Sequence, residues 1–360
     1  MTPRPTDPLY LVDASIYIFQ AWFSPHYEVL SKDGRDLSAF FGFAQFLNRF
    51  LRQTRPRSIA IAFDESLFCG FRHTLYPAYK ANRELPDEEL ARQLHACAAL
   101  APLMGVAAWG SKVYEADDII GTLASMGAAT VGSDTLESDI VGAGPAPVGA
   151  GLALVGAGLA PVGAGPAREQ NKREHPICIV SRDKDLAQLL HSDADHLWDY
   201  TGNTRRYRKD IQRQYGIRPE QIPDYLGLVG DAVDSIPGVP GIGPVAATSL
   251  LQHFESIPLL YENLQDVGSL RYRGASKGAD LLRRHEAQAR LSRTLATIVE
   301  DVDDPAEGFS QADITDLQWQ RPDVEGVAAL LEQMAVEELA RERFLTLLQG
   351  LQPAAAGDPA

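Results

Sequence analysis

The chain has 360 residues, of which 45% are hydrophobic and 22% charged, and its formal net charge is −15. That length suffices for a sizeable core and more than one domain, and the composition is that of a soluble globular protein. The acidic balance excludes a generic nucleic-acid binder coated with basic residues. It still permits one whose acids gather around bound cations while its bases line a separate face.

The N-terminal stretch "MTPRPTDPLYLVD" lacks the charged and apolar segments of a signal peptide, so a reducing cytoplasm is expected. Cys69, Cys97 and Cys178 lie too far apart for a disulfide framework or a zinc motif. "PLYLVD" (8–13), "SIAIAFD" (58–64) and "ICIVSRD" (177–183) are short apolar strand-type runs, each closing on an aspartate. Between the first two, "LSAFFGFAQFLNRFLRQ" (37–53) carries apolar residues at helical spacing. Apolar strands alternating with helices predict an α/β fold with a parallel sheet covered on both faces. Ligands of such sheets bind beyond the carboxyl ends of the strands, where Asp13, Asp64 and Asp183 are expected.

"FRHTLYPAYKANR" (71–83) is a basic, irregular approach to a helix over 85–105, which Pro86 and first-turn acids open. Residues 141–167 repeat the unit VGAGxAx and carry no charge from Ile140 to Ala167. Two glycines per unit and several prolines argue against a membrane helix despite the length. A disordered insert over about 127–173, between a helix and the next strand, is expected instead. Beyond residue 216 the pattern is helical, with one or two closing helices over 325–349 and a short tail at 351–360.

Chemistry is carried by the acids at strand ends and turns: Asp13, Asp64, Glu115, Asp117, Asp118, Asp183, Asp185, Asp231 and Asp234. Like charges gathered in one cleft need a counter-charge, which hard dications such as Mg²⁺ or Mn²⁺ provide through oxygen ligands. Two such ions clamp a phosphodiester. Each acid also has a plainer reading as a helix cap or a solvated loop residue. "GVPGIGP" (238–244) reads equally as a phosphate cradle through the N–H groups of Gly241 and Gly243 or as a tight turn between helices. Lys80 and Arg83 lie one helical turn apart and face a phosphate or only solvent. Arg72 adds a phosphate contact, and Tyr79 is a base-stacking surface or a core residue.

Taken in order, "LVDAS" (11–15), "FDESLFCGFRHTLYPAYKANR" (63–83), "YEADDIIGTLA" (114–124), "SRDKDLAQLL" (181–190) and "GDAVDSIPGVPGIGPVAA" (230–247) resemble the 5′-nuclease superfamily. The likeness is to the 5′→3′ exonuclease domain of bacterial DNA polymerase I and its free-standing relatives. It implies a PIN-like (resolvase-like), mostly parallel sheet flanked by helices, with a helical arch at about 71–105. A nuclease core over 1–215 would be followed by a helix–three-turn–helix (helix-hairpin-helix) DNA-binding domain over 216–300 and C-terminal helices over 301–350.

The resemblance further implies a monomeric hydrolase of DNA replication and repair. It would cut at 5′ ends, flaps and branched duplex as an exonuclease, a flap endonuclease or both. One metal would be held by Asp13, Asp64, Glu115 and Asp117, the second by Asp117, Asp183, Asp185 and Asp231, with Asp118 and Asp234 as further ligands. Lys80 and Arg83 would meet the scissile phosphate at the base of the arch, and loop carbonyls in 230–254 would hold K⁺. The chain departs from the family at Ala14, at Ser235 and at Arg182, where glycine is usual. Arg182 keeps open a non-catalytic DNA-binding protein, and the acidic sheet edge keeps open a PIN-type ribonuclease.

Overall fold

The computed structural model describes residues 7–24, 29–66, 68–126 and 175–353. The predicted insert over about 127–173 and most of the tail lie outside them. Six strands form one sheet in the order β3-β2-β1-β4-β5-β6. They are β1 (Leu9–Asp13), β2 (Ser58–Asp64), β3 (Ala107–Ser111), β4 (Ile177–Val180), β5 (His196–Asp199) and β6 (Thr204–Tyr207). All neighbours run parallel except β5 and β6. The chain moves outward from β1 to β3, then crosses back to place β4 on the other flank of β1. That reversal puts a crevice at the carboxyl ends of β1 and β4.

Thirteen α-helices lie among the described residues. The first five are α1 (Ala14–Trp22), α2 (Ser38–Thr54), α3 (Phe71–Leu75), α4 (Glu88–Leu103) and α5 (Ala116–Ser125). Then come α6 (Arg208–Tyr215), α7 (Ile222–Val229), α8 (Pro244–Phe254), α9 (Ile257–Glu262), α10 (Ala275–Arg284) and α11 (Glu286–Ala296). The chain closes with α12 (Val324–Gln333) and α13 (Glu338–Gln349). None is long and apolar enough to cross a membrane.

Successive strand residues point to opposite faces, so each strand feeds two cores. Leu9, Leu11, Ile177 and Ile179 pack with α5 and the helical region from α6 to α11. Val12, Ile59, Ile61, Cys178 and Val180 pack with α1, α2, α4, α12 and α13 on the other side. Burial on both faces explains why the strands read as unbroken apolar runs.

The stretch expected to form an arch, about 71–105, holds α3 and α4. Its C-terminal part is α4, which Leu90, Ala96, Cys97 and Leu100 bury in the second core, leaving only 76–87 without a helix. α12 and α13 return to the N-terminal layer, with the Phe344 ring 6.2 Å from that of Phe41.

Between α7 and α8 the chain turns tightly on Gly230 and Gly238. Gly238 holds φ +61°, and a Cβ there would stand 2.3 Å from the Gly230 nitrogen. The left-handed backbone alone costs an L-residue about 1–2 kcal/mol. Gly238→Ala is therefore expected to lose at least about 2 kcal/mol in urea unfolding; an unchanged midpoint would show that the turn relaxes freely.

Candidate active site

The acids reach the crevice from five pieces of chain. Asp13 ends β1 and caps α1, accepting the Ser15 N–H at 3.1 Å; Asp64 ends β2 and accepts the Ser66 hydroxyl at 2.8 Å. Glu115 and Asp117 open α5, where free N–H groups favour negative charge. Asp183 and Asp185 follow β4, and Asp231 and Asp234 lie in the turn after α7.

Asp183 is the common neighbour, since its charge acts on Asp13, Asp117, Asp185 and Asp234. Burial first, then Asp183, pushes the Asp13 carboxyl up to about 7. Burial and Asp183 likewise raise Asp117 and Asp185. Glu115 goes the other way. Burial would raise it, but Lys80 and Arg72 outweigh that and hold it at about 2.

The basic groups arrive already paired. Lys80 is buried, takes φ +50°, and sets its Nζ 2.8 Å from Glu115 Oε1. Its N–H donates to the Asp234 carbonyl at 3.0 Å, and Arg83 meets Asp234 Oδ1 at 2.9 Å. These contacts tie the 79–83 segment across the acidic edge to the 231–236 turn. Lys184 bridges to Asp231 Oδ2 at 2.5 Å, which keeps the Asp231 carboxyl low despite burial.

Three expectations need correction. Asp118 is fully buried, and donors occupy both of its oxygens, which leaves no carboxylate oxygen free for an ion. Arg72 binds it bidentately at 2.6 and 2.7 Å, the Glu115 N–H donates to Oδ2, and the Val299 N–H to Oδ1. Arg72 in turn donates to the carbonyls of Leu295 and Thr297 and is only 3% exposed, so no phosphate reaches it. Tyr79 is also 3% exposed and donates its hydroxyl to Glu115 at 3.1 Å, so it is packing rather than a stacking platform. Gly241 and Gly243 sit at the entrance to α8, with open space in front of Gly243.

Arg182 leans out of the crevice. Its side chain is exposed, with Nε 3.6 Å from Asp199, so it does not crowd the acids. Sequence reasoning missed Ser181, whose hydroxyl donates to Asp13 Oδ2 at 3.1 Å and accepts the Asp183 N–H at 3.0 Å. Its place at the end of β4, inside the acidic motif, was the available signal.

Among the described residues no three His, Cys, Asp or Glu side chains close into a ready-made metal cage. The donors nevertheless fit hard dications. They are all carboxylate oxygens, Asp185 Oδ1 is buried without a hydrogen-bond partner, and Mg²⁺ needs only one or two carboxylates beside its waters.

A resolvase-like sheet with an acidic edge, followed by a helical domain that begins with a glycine-rich turn, defines the 5′-nuclease fold. The chain belongs to the 5′-3′ exonuclease family: residues 8–141 match its N-terminal resolvase-like domain and residues 217–325 its C-terminal SAM fold. A 5′-3′ exonuclease of Buchnera aphidicola (subsp. Schizaphis graminum) is 28% identical, over 82% of this chain and 87% of its own length. DNA polymerase I of Chloroflexus aurantiacus is 33% identical over 82% of this chain, but the match takes in only 26% of that protein. The chain thus spans about a quarter to a third of the polymerase relatives. T5 5′-exonuclease, solved with divalent metal ions (zinc), shares the fold at a TM-score of 0.55 and 15% identity, covering 96% of this chain and 99% of that one. The catalytic core of Rad2 in complex with DNA substrate does so at 0.54 and 14%, covering 96% and 92%.

Proposed function

We propose that this chain is a metal-dependent 5′-nuclease that hydrolyses DNA phosphodiesters at 5′ ends, flaps or branch points. The convergence of Asp13, Asp117, Asp185 and Asp234 on Asp183 carries the reading. Two ions would be held there, one by Asp13, Asp64, Glu115 and Asp117, the other by Asp117, Asp183, Asp185 and Asp231, with Asp234 beside them. Bound divalent cations, Mg²⁺ or Mn²⁺, would supply charge neutralisation at the phosphate and an activated water.

The protein's own residues do the rest. Ser181 fixes the orientation of Asp13 relative to Asp183. Lys80 and Arg83 exchange their carboxylate partners for phosphate oxygens as DNA enters. The turn before α8 would grip duplex backbone through Gly241 and Gly243, and its carbonyls would hold K⁺ there. A monomer suffices, since every proposed ligand comes from one chain. The exposed Arg182 side chain gives no support to the non-catalytic alternative, and no observation favours a ribonuclease.

A labelled 5′-flap duplex with Mg²⁺, its products resolved by length, tests the proposal. Cleavage that EDTA stops is expected, whereas binding without cutting, or faster cutting of single-stranded RNA, would reject it. Lys80→Ala is expected to lower kcat by roughly a hundredfold with a smaller change in KM, because the cation acts on charge that develops at the phosphate. An unchanged kcat would remove Lys80 from the mechanism.

A further inference from the structure

Lys80 and Arg83 stand with Asp64 on the β2 side of the acidic edge. A second set of cations, which the proposed chemistry does not use, stands on the β5–β6 side. Residues 202–218 hold five arginines and one lysine against a single acid, Asp210, in a chain whose formal net charge is −15. Three of these are engaged locally: Arg208 pairs with Glu220, Arg213 with Asp210 at 3.2 Å, and Arg218 with Glu255 at 3.8 Å. Arg205 lies over the Trp198 ring, its guanidinium carbon 4.3 Å from the centroid, and Lys209 Nζ is 5.7 Å from the centre of Tyr207. Arg206 has no carboxylate partner among the described residues.

Strand alternation decides where Arg206 goes. Arg205 is opposite Trp198 in the β5–β6 register and Arg206 is opposite Leu197, so the two arginines point to opposite faces of the sheet. Arg206 reaches across β5 to the end of β4, where its Nη2 lies 3.5 Å from the Arg182 carbonyl. It also acts on the Tyr215 hydroxyl together with Lys184, Asp183 and Asp185, which brings its charge beside the acidic edge. Arg182 stands at the same place, one residue before Asp183, and is exposed. Its contact with Asp199 is 3.6 Å long, and Asp199 already accepts the Gly202 N–H at 2.9 Å. Exposed pairs of this kind contribute little, so the Arg182 head is free to exchange partners.

We propose that Arg182 and Arg206 together bind one backbone phosphate of the cleaved strand, roughly one to three nucleotides from the scissile one. The distance follows from a strand spacing of about 4.8 Å and an advance of about 3.4 Å per nucleotide. The assignment rests on the nuclease reading, which sets the scissile phosphate at the acids. A continuous polyanion fits better than an isolated acidic side chain, because cations stand on both flanks of the edge. Guanidinium forks suit phosphate oxygens, and a phosphate carries no sequence information, so the pair contributes affinity and register.

The test uses 5′-flap duplexes with one neutral methylphosphonate at each of the three phosphates on either side of the scissile one. Binding is read by fluorescence anisotropy with Ca²⁺ over a series of salt concentrations. Arg182→Ala and Arg206→Ala are each expected to weaken binding to unmodified DNA roughly fivefold and to lower the salt slope by about one. In the parent, one methylphosphonate should cost a similar factor, and in both variants that same substitution should cost nothing further. Arg205→Ala, which removes an equal charge from the other face, should keep the parent's dependence on position. Equal losses at every position, or a position dependence that Arg206→Ala retains, would overturn the proposal. So would self-association of Arg206→Ala at unchanged DNA affinity, which would make Arg206 a guard on the open edge of β6. Should Arg206→Ala fail to fold by thermal unfolding, Arg182→Ala, at an exposed position, makes the same comparison. If the parent binds the flap but no phosphate position matters, the arginine assignment alone falls. If it does not bind the flap at all, the nuclease reading falls with it.

Discussion

Asp183→Ala should leave a folded protein that cuts flap DNA at least about a thousandfold more slowly. The size follows from its place: one carboxylate acts on Asp13, Asp117, Asp185 and Asp234, so its loss disturbs both proposed ion positions. A dication is worth several kcal/mol at a transferring phosphate, and about 4 kcal/mol corresponds to that factor. The fold should survive because two opposing effects offset. The variant loses the hydrogen bond from the Asp185 N–H, 2.9 Å long, but also relieves the repulsion that burial intensifies. Single-turnover cleavage and thermal unfolding, run on the same preparation, check both halves. Near-parental cleavage would dissolve the proposed centre, and a collapsed fold would show that Asp183 is structural.

Arg72→Ala should do the reverse, costing stability first. It would leave Asp118, wholly buried, with no cation, and would free the Leu295 and Thr297 carbonyls. Breaking a buried pair from one side typically costs about 3–5 kcal/mol. Arg72→Lys should recover little, because an ammonium cannot make the two-pronged contact with Asp118. Arg72→Met combined with Asp118→Leu should lose less than the two single changes together, since no orphaned charge remains. Urea unfolding reads all five variants. A loss under about 1 kcal/mol in Arg72→Ala would mean that solvent reaches the pair.

Much of the proposed centre was legible in the sequence because these acids sit at strand ends and turns, where the local pattern puts them. An acid closing an apolar strand emerges at the sheet edge whatever packs around it, so Asp13, Asp64 and Asp183 were found from periodicity. Proline geometry favours the start of α8 at Pro244 in the same local way. What failed was long-range. Asp118 looks like Asp117 in the sequence, and only the Val299 N–H, from 181 residues away, and Arg72 tell them apart. Tyr79 and Arg72 sit in a basic stretch that reads as surface, yet Glu115 and Asp118 draw both inside. β3, with the sequence AAWGS, lacks the branched residues that announce a strand and is held by pairing with β2.

The order in which the molecule can be completed follows from its closing segment. The Leu317 carbonyl accepts the Ile59 N–H at 2.7 Å, the Trp319 indole reaches the Met104 carbonyl at 3.0 Å, and α12 and α13 seal the layer that α2 begins. A nascent chain leaving the ribosome would have to hold Phe41, Leu51 and Leu100 without these covers for most of translation. Contacts joined across so much sequence form late and slowly. Any event that halts synthesis before residue 317 therefore leaves an incomplete layer, greasy on one side, which is a natural target for chaperones and proteases.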